Sequence, residues 1–283
     1  MEEHDYQDRE QFAKDVLMML EKGSLNDVKI KLSDGEIMAN KDILIARSEY
    51  FATMFKNNQF IEAETSSVDM SHCTVTVMGK IVKFLFSGDV KFSDLSLDQL
   101  LKLSHLSELM LLNNFKDEVD EYTTSNVLPK SGDHVKFLPE LCSGLKLADH
   151  YNLSNIKAVI IEELHYGLKE IPNDVESSDS FKTLSFDLIR ETFHFDEGFN
   201  LPTTKERYDA FMVWLSKNKV TDEEKFEIVK GFDFEEFTAE ELITSVRDSG
   251  LYSGQKIDER LLDIFKKQEL KLKKQELKLK KKT

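Results

Sequence analysis

Strand-like alternation is confined to one part of this 283-residue chain, and that confinement restricts the fold more than any other feature. "DVKIKL" at 27–32 sets Val28, Ile30 and Leu32 alternately with lysines, the period of a half-buried strand. "SDGEIMA" at 33–39 supplies a turn and a second strand, so the pair predicts a hairpin. Short strands are expected again at "SSVDM" (66–70) and "VKF" (90–92), and beyond residue 123 the pattern almost vanishes. Helical spacing fills the rest. Ile43, Ala46, Tyr50, Phe51, Met54 and Phe55 keep it between 41 and 55, with Ser48 dividing two short helices. Val75, Met78, Val82 and Leu85 mark another helix, and "LDQLLKLSHLSELMLLNNFKDEV" reads as a helical pair.

These patterns predict an α+β domain over 1–123, a polar linker over 124–132 within "TTSNVLPKSGDHV", and an all-helical domain over 133–265. In the helical domain, "LPELCSGLKLADHYNLSNIKAVIIEELHYGL" has the pattern of a helical hairpin. Further helices are expected at 181–195, 204–217, 222–231 and 237–247, with "EIPNDVESSDS" (170–180) as a mobile loop. Residues 266–283 form a lysine-rich tail in which "KKQELKL" occurs twice in succession. Its leucines at 270, 272, 277 and 279 include pairs two apart, which face opposite sides of a helix rather than forming a zipper seam.

At the N-terminus Phe12, Val16, Met19 and Leu20 fall at i, i+4, i+7 and i+8, an amphipathic helix that Gly23 would stop. The acidic start "MEEHDYQDRE" lacks the layout of a secretory leader, and no apolar run approaches the length of a membrane span. Two cysteines, Cys73 and Cys142, suit a reducing compartment. The expected location is therefore inside the cell, cytoplasmic or nuclear. The tail carries nine lysines against two glutamates, +7, which leaves −22 on the remainder of a chain whose total is −15. So acidic a body repels phosphate backbones, so no specific nucleic-acid partner is expected; the tail alone could make weak, salt-sensitive contact with an anionic surface.

The order of these residues resembles the BTB/POZ domain. Asp27-Val28, Lys41, Leu44, Ala46-Arg47-Ser48, Tyr50-Phe51 and Met54-Phe55 occupy the places of that family's pattern, and "FLFSGDV" stands for its Tyr-Thr-Gly segment; the family's histidine before the lysine is Asn40 here. Beyond residue 133 the chain is similar to the BACK domain of kelch-like proteins. The matching segments are "GLKLADHYNL" (144–153), "TTKERYDAFMVWLSKN" with Glu206 and Trp214, and "ELITSVRDSGLYS". Together the two resemblances cover about 10 to 262.

The resemblance implies a two-fold dimer in which Phe12, Val16, Leu17, Met19 and Leu20 form the interface; a helix folded back on its own domain would account for the same stripe. It also implies that Phe60, Ile61 and Glu62 match the apolar-x-Glu element with which BTB adaptors engage the ubiquitin-ligase scaffold cullin-3. The partners so implied are a second copy of the chain or another BTB protein, and cullin-3. An aromatic anchor filling a partner pocket beside a register-setting carboxylate is sound interface chemistry, whereas a cap over the domain's own core would explain Phe60 and Ile61 equally.

No catalytic arrangement is legible. "GLYSGQKI" (250–257) is one residue short of a phosphate-binding loop and has Ile257 where Ser or Thr is needed. The seven histidines are scattered, and His72-Cys73 has no second pair at ligand spacing. No enzyme activity, cofactor or metal is expected. A kelch propeller would need glycine-rich repeats of about 50 residues, and the sequence has 11 glycines in all. The expected function is a dimeric adaptor or modulator of a cullin-3 ligase. The other reading is a BTB scaffold that competes with kelch-like proteins through mixed dimers.

Overall fold

The structure is a computed structural model that describes residues 11, 14–16, 18, 19, 22, 23, 26–56, 61–128, 134–194, 202–232, 234, 237, 263, 264, 266 and 267. The chain divides into two compact units. One comprises Met1–Lys130 with Leu147–Lys157, and the other comprises Ser131–Lys146 with Ala158–Thr283.

The first unit is built on a three-stranded sheet in the order β2-β1-β3, with β1 at Val28–Leu32, β2 at Glu36–Ala39 and β3 at Ser67–Met70. The hairpin forms as its alternation predicts: β1 pairs antiparallel with β2, Ile30 opposite Ile37, and parallel with β3, Ile30 opposite Val68. Val28, Ile30 and Leu32 all point into the core. The sheet consists of these three strands, and Val90–Phe92, where a strand was expected, joins none of them. Ring packing holds that segment instead, with Phe92 lying 5.8 Å from Phe115 and 5.4 Å from Tyr122.

Helices cover the sheet. α1 (Lys41–Arg47) starts where the Asn40 side chain accepts the Ile43 amide, and it ends at Ser48. Ser48 is extended; its Oγ accepts the Phe51 amide and so opens α2 (Glu49–Lys56), as the predicted division requires. α3 is the short turn Ile61–Thr65. α4 (Val75–Ser87) is capped by Thr74 and closed by Gly88 at φ 76°, a left-handed position that suits glycine. α5 (Leu97–Leu109) opens on a capping box between Ser96 and Gln99, and α6 (Asn113–Tyr122) follows. Phe51, Met78, Ile81, Leu100, Leu103 and Phe115 are buried in the core that these elements enclose.

The polar stretch read as a linker is helical at its start. Thr123–Val127 continues α6 as a π-helical turn, because the Thr123 and Thr124 hydroxyls donate to the carbonyls of Val119 and Asp120 at 2.7 and 3.0 Å. Residues 129–133 lie outside the described set.

Among its described residues the second unit contains helices and turns and no strand. α7 (His134–His150) and α8 (Ser154–Gly167) are the two helices expected there, and α8 leads into a 3-10 segment at Leu168–Asn173. The stretch 170–180, expected to be a mobile loop, is ordered. Asp174 caps α9 (Val175–Phe181) by accepting the Ser177 amide at 2.7 Å, the Ser178 hydroxyl donates to the Ile171 carbonyl, and Ile171 and Phe181 are fully buried. Its polar composition concealed two apolar anchors. The helix expected over 181–195 is α10 (Phe186–Phe193), capped by Ser185. α11 (Thr204–Leu215) and α12 (Asp222–Val229) each open on a capping box, with Glu206 and Glu224 as the reciprocal acids. The helix expected at 237–247 falls outside the described residues, although Phe237 itself is buried. Tyr208, Phe211, Trp214 and Phe232 fill the centre of this unit. Among the described residues no helix is long and apolar enough to cross a membrane.

Candidate protein-interaction surface

The helical period of α2 sorts its residues cleanly. Phe51 and Phe55 are buried in the core of the first unit, while Glu49, Ala52, Thr53 and Lys56 fall at i, i+3, i+4 and i+7 on the outer face. Those four line an open depression of about 490 Å3. An acid at its head and a lysine at its foot complement the helix dipole and give the groove opposite charge at its two ends.

Next to the head of this helix lies a second feature, which the sequence reading missed. The Ser48 hydroxyl donates to the Met110 carbonyl at 3.5 Å, so the turn after α5 lies beside the start of α2. In that turn Met110 and Leu112 are buried, whereas Leu109 and Leu111 are 53% and 58% exposed. Leu111 also sits at φ 58°. Its amide bonds to Glu108 and that of Leu112 to Ser107, a Schellman closure in which leucine takes the place usually given to glycine. The left-handed conformation costs a residue with a Cβ about 1–2 kcal/mol. Leu111→Gly should therefore raise stability by about 1 kcal/mol after glycine's greater unfolded-state entropy is subtracted, as urea unfolding would measure. The signal was present in "LMLLNN", where the helical period needs only two inward residues and two leucines are surplus.

Of the residues picked from the sequence, Phe60 lies outside the described residues. Ile61 begins α3, and Glu62, in its first turn, is half-buried. Glu62 is near enough to Tyr50 to act on it: burial first, then the Glu62 carboxylate and the Cys73 thiol, hold the Tyr50 phenol above its ordinary range. The Tyr50 hydroxyl points at the Met70 sulfur, 3.8 Å away. Glu62 thus lies near the head of α2, the helix to which Tyr50 belongs.

In the N-terminal segment, Phe12, Leu17 and Leu20 lie outside the described residues. The backbone is helical at 11, 14–16, 18 and 19; Val16 is half-buried, while Met18 and Met19 are each 44% exposed.

Nucleophilic chemistry is not supported by either cysteine. Burial pushes the Cys73 thiol up to about 11 against the opposing pull of Lys102, and burial pushes Cys142 up to about 12 against Lys146. Both are protonated thiols at neutral pH and poor nucleophiles. Among the described residues no group of three or more His, Cys, Asp or Glu could hold a metal ion.

The BTB/POZ domain family matches residues 17–125, the span that contains the sheet and α1 to α6. Residues 17–125 are a BTB/POZ domain. Human kelch-like protein 17 is 23% identical over 198 residues, 70% of this chain and 28% of that protein. Human gigaxonin is 23% identical over 192 residues, 67% of this chain and 29% of that protein. The mouse Rho-related BTB domain-containing protein 1 is 27% identical over 139 residues, 49% of this chain and 20% of that protein. The chain thus spans less than a third of the length of each. The first two alignments are longer than the BTB/POZ span and so take in part of the helices that follow, and a helical unit after the BTB/POZ domain is consistent with a BTB–BACK order.

Proposed function

We propose that the chain is a protein-interaction adaptor acting inside the cell, which pairs through its N-terminal segment with a second copy or another BTB protein and recruits or modulates a cullin-3 ubiquitin ligase. The observation that carries this reading is the outer face of the BTB/POZ domain. There a charged groove on α2, a half-buried Glu62 and two exposed leucines lie around the head of one helix. Exposed apolar side chains held on rigid backbone are what a partner pocket can anchor on at low entropic cost. A leucine kept in the left-handed region, where glycine would be easier, is strain that folding alone does not reward. The relatives named kelch-like protein and gigaxonin support the same class of role.

The test is titration of the full chain with the N-terminal domain of cullin-3. Phe60→Ala with Glu62→Ala, and separately Leu109→Asp with Leu111→Asp, should each weaken binding at least about 30-fold, the loss expected for an interface hot spot. Affinity unchanged in both double variants, with folding intact, overturns the cullin reading. A chain that still dimerises would then be read as a scaffold.

A further inference from the structure

The helix α7 ends in an elbow that belongs to the first unit although most of the helix belongs to the second. Asn152 makes the turn at φ 56°; its amide bonds to Asp149 and that of Leu153 to Ala148, closing the helix in a Schellman motif. Ala148, Leu153 and Ile156 are buried, and Lys157 pairs with Asp149 at 2.6 Å across the bend. The elbow is therefore a braced element.

Its Tyr151 ring lies flat on the His105 ring of α5, with centroids 4.4 Å apart and planes 16° from parallel. We propose that this ring stack is a pH-responsive latch, which holds Leu147–Lys157 on the first unit at neutral pH and releases it on acidification.

The groups facing the stack come from three directions. On α5 itself, Glu108 favours a charged His105, and Asp98 faces Tyr151. From the turn before α4 come His72, which faces His105, and Cys73, which faces Tyr151 and in turn faces Lys102. From the elbow comes His150, whose ring is 5.1 Å from that of Tyr151. A charged imidazole would gain from the Tyr151 face and from Glu108. Burial and the two neighbouring histidines oppose it, and with burial the largest cause His105 is held below the ordinary histidine range. The sign follows. Docked His105 binds its proton less readily than released His105, so docking is favoured above the free imidazole value near 6.5 and loses that support as pH falls below it. His72 and His150 face the stack from exposed positions and act on it through their effect on His105.

Hydrogen exchange of the full chain, corrected for the intrinsic rate, tests this at about pH 7.5 and about pH 5.5. Protection of 147–157 should fall several-fold on acidification, while that of the β1 amides holds. His105→Phe keeps a flat ring that cannot charge and should abolish the pH dependence. His72→Gln with His150→Gln, at exposed positions that tolerate change, removes two of the causes that hold His105 down and should make the acid-induced loss smaller. Equal protection at both pH values in the unmodified chain, or the same pH response in His105→Phe, overturns the latch. If His105→Phe fails to fold, an undiminished loss in the exposed double variant overturns it instead.

Discussion

Trp214→Ala should lower the stability of the helical unit by about 3–5 kcal/mol, the loss seen when a large aromatic leaves a packed core. Trp214 is 1% exposed, lies between Phe186 and Phe211 with ring centroids 6.4 and 6.0 Å away, and donates its indole N–H to the Leu184 carbonyl at 2.9 Å. Alanine would leave a cavity and a buried carbonyl without its donor. Trp214→Phe separates the two effects, because it keeps most of the volume and loses the hydrogen bond, at about 1–3 kcal/mol. Trp214 is the only tryptophan in the chain, so its fluorescence in urea reports this unit in the unmodified protein. The variants would be followed by circular dichroism. An alanine variant within about 1 kcal/mol of the unmodified chain would contradict the packing described.

In the BTB/POZ domain the corresponding position is Phe115. It is fully buried, stacked on Phe84 at 4.1 Å and in contact with Phe92, so it joins α4, α6 and the extended segment at 90–92. Phe115→Ala should likewise cost about 3–5 kcal/mol. It should also free the 90–92 segment, since ring packing and not a strand ladder holds it there. Hydrogen exchange along β1 and α5 measures the first effect, and exchange at 90–95 the second. Loss of protection at 90–95 with β1 unchanged would place Phe115 outside the cooperative core.

What the sequence allowed to be read, and what it hid, has a physical pattern. β1 and the helices α1, α2, α4 and α5 could be read because burial on one face imposes a period, and Val28, Ile30 and Leu32 display it without interruption. Residues 90–92 were misread because a three-residue alternation fits a strand or a packed loop equally, and the deciding fact, that Phe92 packs on Phe115 and Tyr122, is tertiary. The segment 170–180 was misread because acidic residues and serines dominate its composition, while its order rests on Asp174 as a cap and on Ile171 and Phe181 as anchors. The candidate surface was half visible. Glu62 stood out through the resemblance, but Leu109 and Leu111 did not, since a leucine-rich helix end looks like core until the backbone turns through the left-handed region at 111.

The elbow at Leu147–Lys157 has a bearing on synthesis. The ribosome makes all of residues 1–130 before it makes Tyr151, so the His105 ring must wait for its cover until residue 157 has followed, roughly a few seconds later at ordinary elongation rates. A recombinant fragment that stops at 130 would never receive that cover. It should be less soluble and more protease-sensitive than one extended through 157, so the biochemical edge of the N-terminal body lies later in the chain than the edge of its family match.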